Sequence, residues 1–410
     1  MGDLALETGE EAMYADQRTI MRNAQLVGVL ERLCQGLELN DSQFELAKAR
    51  YDAVGRWLAG AEEKLIRTVL IYPQGSTAIG TTVKPIGRIE HDVDLVSHVV
   101  EPDQLISPAA LKSAIGNRLR SNGQYAPILE EMGRCWRINY AGEFHLDITP
   151  SIPNPGCPKG GVLVPDKTLK AWTPSNPKGY KTLFLERAKI MPQMRLSKSM
   201  GAMDSARSLV EPYPEQVGFK GILPRTVQLS KRHRDIYFQE LDPSLAPISI
   251  IITTLASRAY EFCARNNVYD SELDLLCDVV RYMPRFMEVD NSSGRYQWFI
   301  WNETTELENF AEKWNADPRR ANAFYVWHAK LLADLESLTH IEGLDLLTKR
   351  LGSAFGSAPA TRALDSLVEP VSAARRTGRL TAAPVVGLST GALASSTAVR
   401  ANTFHGSDSS

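Results

Sequence analysis

Apolar residues recur at helical spacing along residues 11–38. They do so again from Asn40, a good capping residue, to about Leu58, where Phe44, Ala47, Tyr51, Val54 and Leu58 form one stripe. Two helices are predicted there. The period then shortens. Leu65 to Tyr72 reads as a strand ending at Pro73, and Gly75-Ser76-Thr77-Ala78-Ile79-Gly80 as a small-residue turn. A second strand is centred on Asp92. Ser107-Pro108, a cap followed by proline in the first turn, predicts a helix to about Arg120. Residues 134–140 alternate like a strand, Gly142 marks a turn, and 143–149 pairs back. Residues 153–180, rich in Pro, Gly and Lys, predict a long loop with short strands, followed by mixed helix and loop to about 222.

From Pro224 the pattern is helical. A very apolar helix is predicted from Ile248 to about Cys263, and Ser271 with Asp274 caps another. Thr305 with Glu308 has the form of a capping box ahead of Phe310, Ala311 and Trp314. Asp317-Pro318 starts a further helix whose stripe is Ala321, Phe324, His328, Leu331, Leu335 and Leu338. From about Val371 the chain turns to Ala, Ser, Thr, Gly and Pro, which cannot bury enough apolar surface to offset ordering entropy. The expectation is an α+β fold in three parts: 1–222, a helical 223–370, and a flexible tail over 371–410.

Hydrophobic content of 43% and charged content of 23% are ordinary for a globular protein. Lys plus Arg is 46 against 48 for Asp plus Glu, a net charge of −2, which weighs against a dedicated duplex or tRNA binder. Five scattered cysteines lack zinc spacing and predict reduced thiols in a cytoplasmic protein. No apolar run approaches membrane-helix length, so no membrane association is expected.

Strands are depleted in aspartate, yet three aspartates fall in strand-like runs: Asp92 and Asp94 in His91-Asp92-Val93-Asp94-Leu95-Val96, and Asp147 in Phe144-His145-Leu146-Asp147-Ile148. The period of two puts Asp92 and Asp94 on one face, with Cβ atoms roughly 6.5 Å apart. Crowded carboxylates repel unless a cation neutralises them, and such a pair can converge on two metal ions about 3.5–4 Å apart. Gly75-Ser76 upstream reads as a phosphate cradle, where glycine admits a triphosphate and the Ser76 hydroxyl and N–H groups donate to it. Alone it would be an ordinary turn; the following Asp-x-Asp strand changes that reading. Two Mg²⁺ ions are then expected, with Mn²⁺ able to substitute. One is held by all three aspartates at an acceptor 3′-hydroxyl, the other by Asp92, Asp94 and triphosphate oxygens. Asp147 is also the candidate base for the 3′-hydroxyl proton.

Gly75-Ser76 with Asp92, Asp94 and Asp147 resembles the polymerase-β-like nucleotidyltransferases. The run from Gln74 to Thr82 leading into Glu90-His91-Asp92-Val93-Asp94-Leu95-Val96 is similar to the bacterial CD-NTases, the cyclic GMP-AMP synthase and DncV-like enzymes of anti-phage signalling (CBASS), with a CdnD-like clade as the suggested branch. Asn309-Phe310-Ala311-Glu312-Lys313-Trp314 resembles that family's helical domain. The resemblance spans about residues 40–365. It implies a nucleotidyltransferase core with a helical spine over 1–222, an oligoadenylate-synthase-C-like helical lobe over 223–370, and an active site between them. It further implies template-free synthesis of a cyclic di- or trinucleotide from ATP and GTP with pyrophosphate release, and an adenine-rich trinucleotide as product. No stable nucleic-acid polymer is expected as partner.

Lys231, in the basic run Lys231-Arg232-His233-Arg234, resembles the family's spine lysine that meets the donor triphosphate; the alternative is a solvated basic face. Ser249, in the first turn of its helix, could donate to a phosphate at the positive helix end; the alternative is a plain N-terminal hydroxyl. His145 shares the face of Asp147 and could touch nucleotide; the alternative is a side chain with no part in the site. The tail, with its lone Phe404, is read as a disordered terminus or as a recognition peptide, since family members are conjugated through their C-termini by E1/E2-like transfer proteins or regulated by HORMA-type partners encoded nearby. Two competing functions stand beside the leading one: a nucleotidyltransferase that modifies a small molecule, tRNA or protein, and a catalytically inactive nucleotide-sensing scaffold. The intact set of three aspartates weighs against the second.

Overall fold

The computed structural model describes residues 3–87, 91–103, 105–168, 170–195, 220–377, 381–383, 387–389 and 397–398. In chain order its elements are α1 (Asp3–Leu37), α2 (Asp41–Ala59), β1 (Val69–Pro73), α3 (Gly75–Ala78), β2 (His91–Val99), α4 (Pro108–Arg120), β3 (Leu129–Glu131), β4 (Trp136–Tyr140), β5 (Phe144–Pro153), β6 (Val162–Asp166), β7 (Ala171–Ser175), α5 (Pro177–Ala188) and β8 (Gln193–Met194). There follow α6 (Ile222–Tyr237), α7 (Ser249–Asn266), β9 (Val268–Tyr269), α8 (Glu272–Tyr282), β10 (Glu288–Asp290), β11 (Gln297–Phe299), α9 (Glu312–Ala316), α10 (Arg319–Leu338), α11 (Leu344–Phe355) and α12 (Ser357–Arg376).

Seven strands form the main sheet in the order β1-β2-β5-β4-β3, with β6 pairing the end of β5 and β7 beside β6. The central pair β2 and β5 is parallel; its neighbours are antiparallel. A parallel pair needs a crossover connection, and α4 lies in it. The apolar positions of β2, β4 and β5 point to one face and pack against α2 and α4, where Val54, Leu58, Leu111, Ile115 and Leu119 meet Val93, Leu95, Leu146 and Ile148. Helix α4 approaches closely at Gly116: a Cβ there would lie 2.1 Å from the Trp136 ring. Trp136 is buried and its Nε1 donates to Lys112 O at 2.8 Å. With this face filled by helices, the polar positions of the same strands are left on the other.

A second hydrophobic core is helical. Leu26, Leu30, Leu33 and Leu37 of α1 and Phe184 of α5 pack with apolar residues of α6, α7, α8, α10, α11 and α12. Two elements preceding residue 222 therefore contribute to the core of the helical half. The expected stripe of α10 is buried, with Trp327 added. Helix α6 is its centre: every residue from Ile222 to His233 is buried. A polar helix survives such burial only if its side chains find partners. Arg225 pairs with Glu31 and Glu38, Ser230 donates to Thr226 O, and His233 Nε2 sits 3.0 Å from Asp334.

Two expectations are corrected. Thr305 and Glu308 do not form a capping box. Leu307 has a left-handed backbone (φ +64°) that breaks the run. Glu308 turns instead to Asn302 Nδ2 at 2.7 Å and Ser175 Oγ at 3.3 Å, and the helix starts only at Glu312. The tail expected from 371 starts later, because the Ala- and Arg-rich residues at 371–376 complete α12. Beyond it, Thr381–Ala383 pairs with Gly387–Ser389 and Thr397–Ala398. The terminal peptide, including Phe404, lies outside the described residues. Among the described residues no helix is long and apolar enough to cross a membrane.

Candidate active site

The parallel register of β2 and β5 sets Asp94 directly beside Asp147 and Asp92 beside His145. Because Val93, Leu95, Leu146 and Ile148 enter the core, the alternation turns all three carboxylates to the opposite, polar face. Strand β4 borders β5 on its other side and places Arg137 opposite Asp147. Arg137 Nε donates to Asp147 Oδ1 at 2.7 Å and Nη2 to Oδ2 at 2.7 Å, a two-pronged pair of the strong charge-assisted kind. The same Nη2 lies 3.4 Å from Asp92 Oδ1, as does His145 Nδ1. His145 thus faces the site, as its place on the face of Asp147 predicts.

Gly75 closes the site from β1. Its φ is +63°, and a Cβ built on it would lie 2.4 Å from Asp94 Oδ2, so the backbone rests against the carboxylate at a distance only glycine permits. Gln74 N donates to Asp94 O at 3.0 Å, and Ser76 O accepts from Thr81 N at 2.9 Å. These bonds fix the turn carrying Gly75 and Ser76 over the start of β2.

Asp94 is the electrostatic centre. Burial, then the neighbouring charges of Asp147 and Asp92, push its carboxyl up to about 7, against the opposing pull of Lys231 and Arg137. Lys231 is buried, as are Arg232 and His233, so the solvated-face alternative for this run does not hold. Burial first, and then Arg234, push the Lys231 ammonium down to about 8. Its Nζ donates to Thr81 O at 2.9 Å, placing it at the strap that follows Ser76. Ser249 opens α7, and its Oγ accepts from Arg234 Nη1 at 3.0 Å; it joins the site's surroundings through α6. The structure therefore gathers Gly75, Asp92, Asp94, Asp147 and Lys231, and gives Ser249 a hydrogen bond from Arg234.

Three carboxylates on one face form an oxygen-only donor set suited to hard divalent cations. Asp92 and Asp147 crowd negative charge about the buried Asp94, where such an ion would sit. Arg137 holds both Asp147 oxygens, and among the described residues no three Asp, Glu, His or Cys groups converge on one metal position. Arg137 was not singled out in the sequence, although its alternation with buried Trp136, Ile138 and Tyr140 carried the signal.

A mixed sheet carrying an Asp-x-Asp strand, a third aspartate on its parallel neighbour and a Gly-Ser turn against them is the arrangement of the polymerase-β-like fold. Residues 25–187 match the Second Messenger Oligonucleotide or Dinucleotide Synthetase domain. The chain is 29% identical over 383 residues to a c-di-GMP synthase of Roseivirga ehrenbergii, covering 93% of this chain and 97% of that protein. It is 28% identical over 360 residues to the cyclic dinucleotide synthase CdnG of Bradyrhizobium diazoefficiens, covering 83% and 82%. The structure superposes on the CD-NTase CdnG of B. diazoefficiens in complex with GTP with a TM-score of 0.63, at 24% identity, covering 82% of this chain and 96% of that one. For E. coli CdnC with ATP the TM-score is 0.55, at 13% identity, covering 83% and 97%. The chain is thus similar to cyclic dinucleotide synthases over most of its length and shares the fold of the CD-NTases.

Proposed function

We propose that this protein joins two nucleoside triphosphates into a cyclic dinucleotide at the face shared by Asp92, Asp94 and Asp147. The observation that carries the reading is the side-by-side placement of Asp94 and Asp147 across β2 and β5, with Gly75 packed on Asp94. In it, Gly75 and Ser76 receive the donor triphosphate, and the three aspartates would hold two divalent cations, Mg²⁺ or Mn²⁺. Such ions, when bound, would neutralise triphosphate charge and acidify the acceptor hydroxyl.

The acceptor 3′-oxygen forms a bond to the donor α-phosphorus while the bond to the β-phosphate oxygen breaks, and pyrophosphate leaves. The 3′-hydroxyl proton passes to Asp147 or to water. The two-pronged pair with Arg137 occupies one lone pair on each Asp147 oxygen and lowers its basicity, leaving a second lone pair on each to accept the proton. A second transfer with the roles of the two nucleotides exchanged closes the ring. Lys231, and Ser249 through Arg234, are assigned to triphosphate positioning.

For the bases we infer guanine. Similarity over nearly the full length of a protein named as a c-di-GMP synthase, and to a second relative named as a cyclic dinucleotide synthase, supports a dinucleotide over the adenine-rich trinucleotide expected from family resemblance. The likeness to E. coli CdnC, also solved with a HORMA protein, supports a regulatory partner of that kind. Mass spectrometry of the product made from GTP alone, and from GTP with ATP, tests the assignment. A cyclic di-guanylate from GTP alone supports it; a product that requires ATP overturns it. Label ending on protein or tRNA would favour the modifying nucleotidyltransferase.

A further inference from the structure

Residues 81–85, which follow the Gly75-Ser76 turn, belong to no helix or strand, so their backbone polar groups need partners from elsewhere. Those partners come from α6 and from Lys220, two residues ahead of it. Lys220 Nζ donates to Gly80 O at 3.1 Å, Lys231 Nζ to Thr81 O at 2.9 Å, Gln228 Nε2 to Thr82 O at 3.0 Å and Arg232 Nη2 to Lys84 O at 2.8 Å. The strap is thus gripped carbonyl by carbonyl. At its near end Thr81 N donates to Ser76 O at 2.9 Å, and at its far end Lys84 N donates to Leu37 O at 2.7 Å.

One buried carboxylate organises two of the four grips. Glu38, next after α1, sits 2.9 Å from Lys220 Nζ, accepts from Gln228 Nε2 at 3.4 Å, and pairs with Arg225 Nη1. Arg225 Nη1 in turn donates to Gln228 Oε1 at 2.8 Å. Removing the Glu38 charge would leave Lys220 and Arg225 without a shared partner in a buried setting, which is costly.

We propose that Glu38, Lys220 and Gln228 are positioning residues for nucleotide binding. Acting through the Gly80 and Thr82 carbonyls, they set where α6 holds the strap and hence where Ser76 meets the triphosphate. The proposal rests on the reading that Gly75 and Ser76 receive that triphosphate. The turn meets the phosphates in ground and transition states alike, so misplacing it weakens binding more than it slows chemistry.

The test compares full-length wild type with Lys220→Met, Gln228→Met and the donor-retaining Lys220→Arg. Three quantities are measured: affinity for a non-hydrolysable nucleoside triphosphate by calorimetry, kcat and KM for pyrophosphate release, and amide exchange over residues 75–84. The two Met variants are expected to lose about three- to tenfold in affinity, the scale of one hydrogen bond. KM should rise in step, kcat should stay within about twofold, and exchange over 75–84 should quicken. Lys220→Arg should recover most of the affinity. Met variants that melt earlier but bind and exchange like wild type would overturn the proposal, as would an Arg variant no better than Met. Wild type that binds no nucleoside triphosphate would instead overturn the site assignment, and this proposal with it.

Discussion

Replacing Gly75 by alanine perturbs the site in two separable ways. The backbone at φ +63° is left-handed, which costs a residue with a Cβ about 1–2 kcal/mol. The new Cβ would also lie 2.4 Å from Asp94 Oδ2, against 3.4 Å for the start of ordinary contact, so carboxylate or turn must give by about 1 Å. A displacement of that size at a reacting centre costs on the order of 10²-fold in rate, equivalent to about 2.7 kcal/mol of barrier. Gly142→Ala separates the two effects, because Gly142 has φ +77° and nothing within 4 Å of a built Cβ. Both variants should melt a few degrees lower than wild type. Only Gly75→Ala should lose about 10²-fold in kcat/KM for pyrophosphate release. Gly75→Ala within threefold of wild type, or Gly142→Ala equally impaired, would refute the claim that the turn is packed on a working carboxylate.

Other expectations follow from the same charges. Arg137→Gln frees both Asp147 oxygens, so Mn²⁺ binding followed by electron paramagnetic resonance should tighten about tenfold, while the chelator-treated protein melts lower; weaker Mn²⁺ binding would contradict the idea that guanidinium and metal compete. With its carboxyl raised from 3.8 to about 7, Asp94 keeps a proton in the native state that the unfolded chain releases. Stability in chelator should therefore fall as pH rises from about 4 to about 7 and level off above it. Thermal melts across that range check this, and Asp94→Asn should flatten the dependence. Ser271 caps α8 by accepting from Asp274 N, and Ser271→Ala should cost about 1 kcal/mol of stability with kcat unchanged.

The aspartate face was legible in the chain because strand alternation is local: apolar Val93, Leu95, Leu146 and Ile148 force Asp92, Asp94 and Asp147 to the other side. Capping by Asn40, Ser107 and Ser271 was legible for the same reason, since each satisfies an N–H three residues on. Arg137 was only partly legible: the predicted hairpin of 134–140 with 143–149 sets it near Asp147, but alternation alone does not rank it above other charged positions. Lys231 was ambiguous because a basic run on a helix reads as solvated until α1, the strap and α10 are known to enclose it. Thr305 and Glu308 misled because a capping box presumes a helix directly after it. Here a left-handed Leu307 and a partner on β7 outcompeted that local preference.

The central claim is that one carboxylate face makes a cyclic product from free nucleotides. The direct measurement incubates wild type and the Asp92→Asn, Asp94→Asn double variant with labelled nucleoside triphosphates and Mg²⁺ or Mn²⁺, then treats both with phosphatase. The account predicts a phosphatase-resistant labelled nucleotide from wild type and none from the double variant. No turnover by wild type with any donor, or an undiminished resistant product from the double variant, would contradict it.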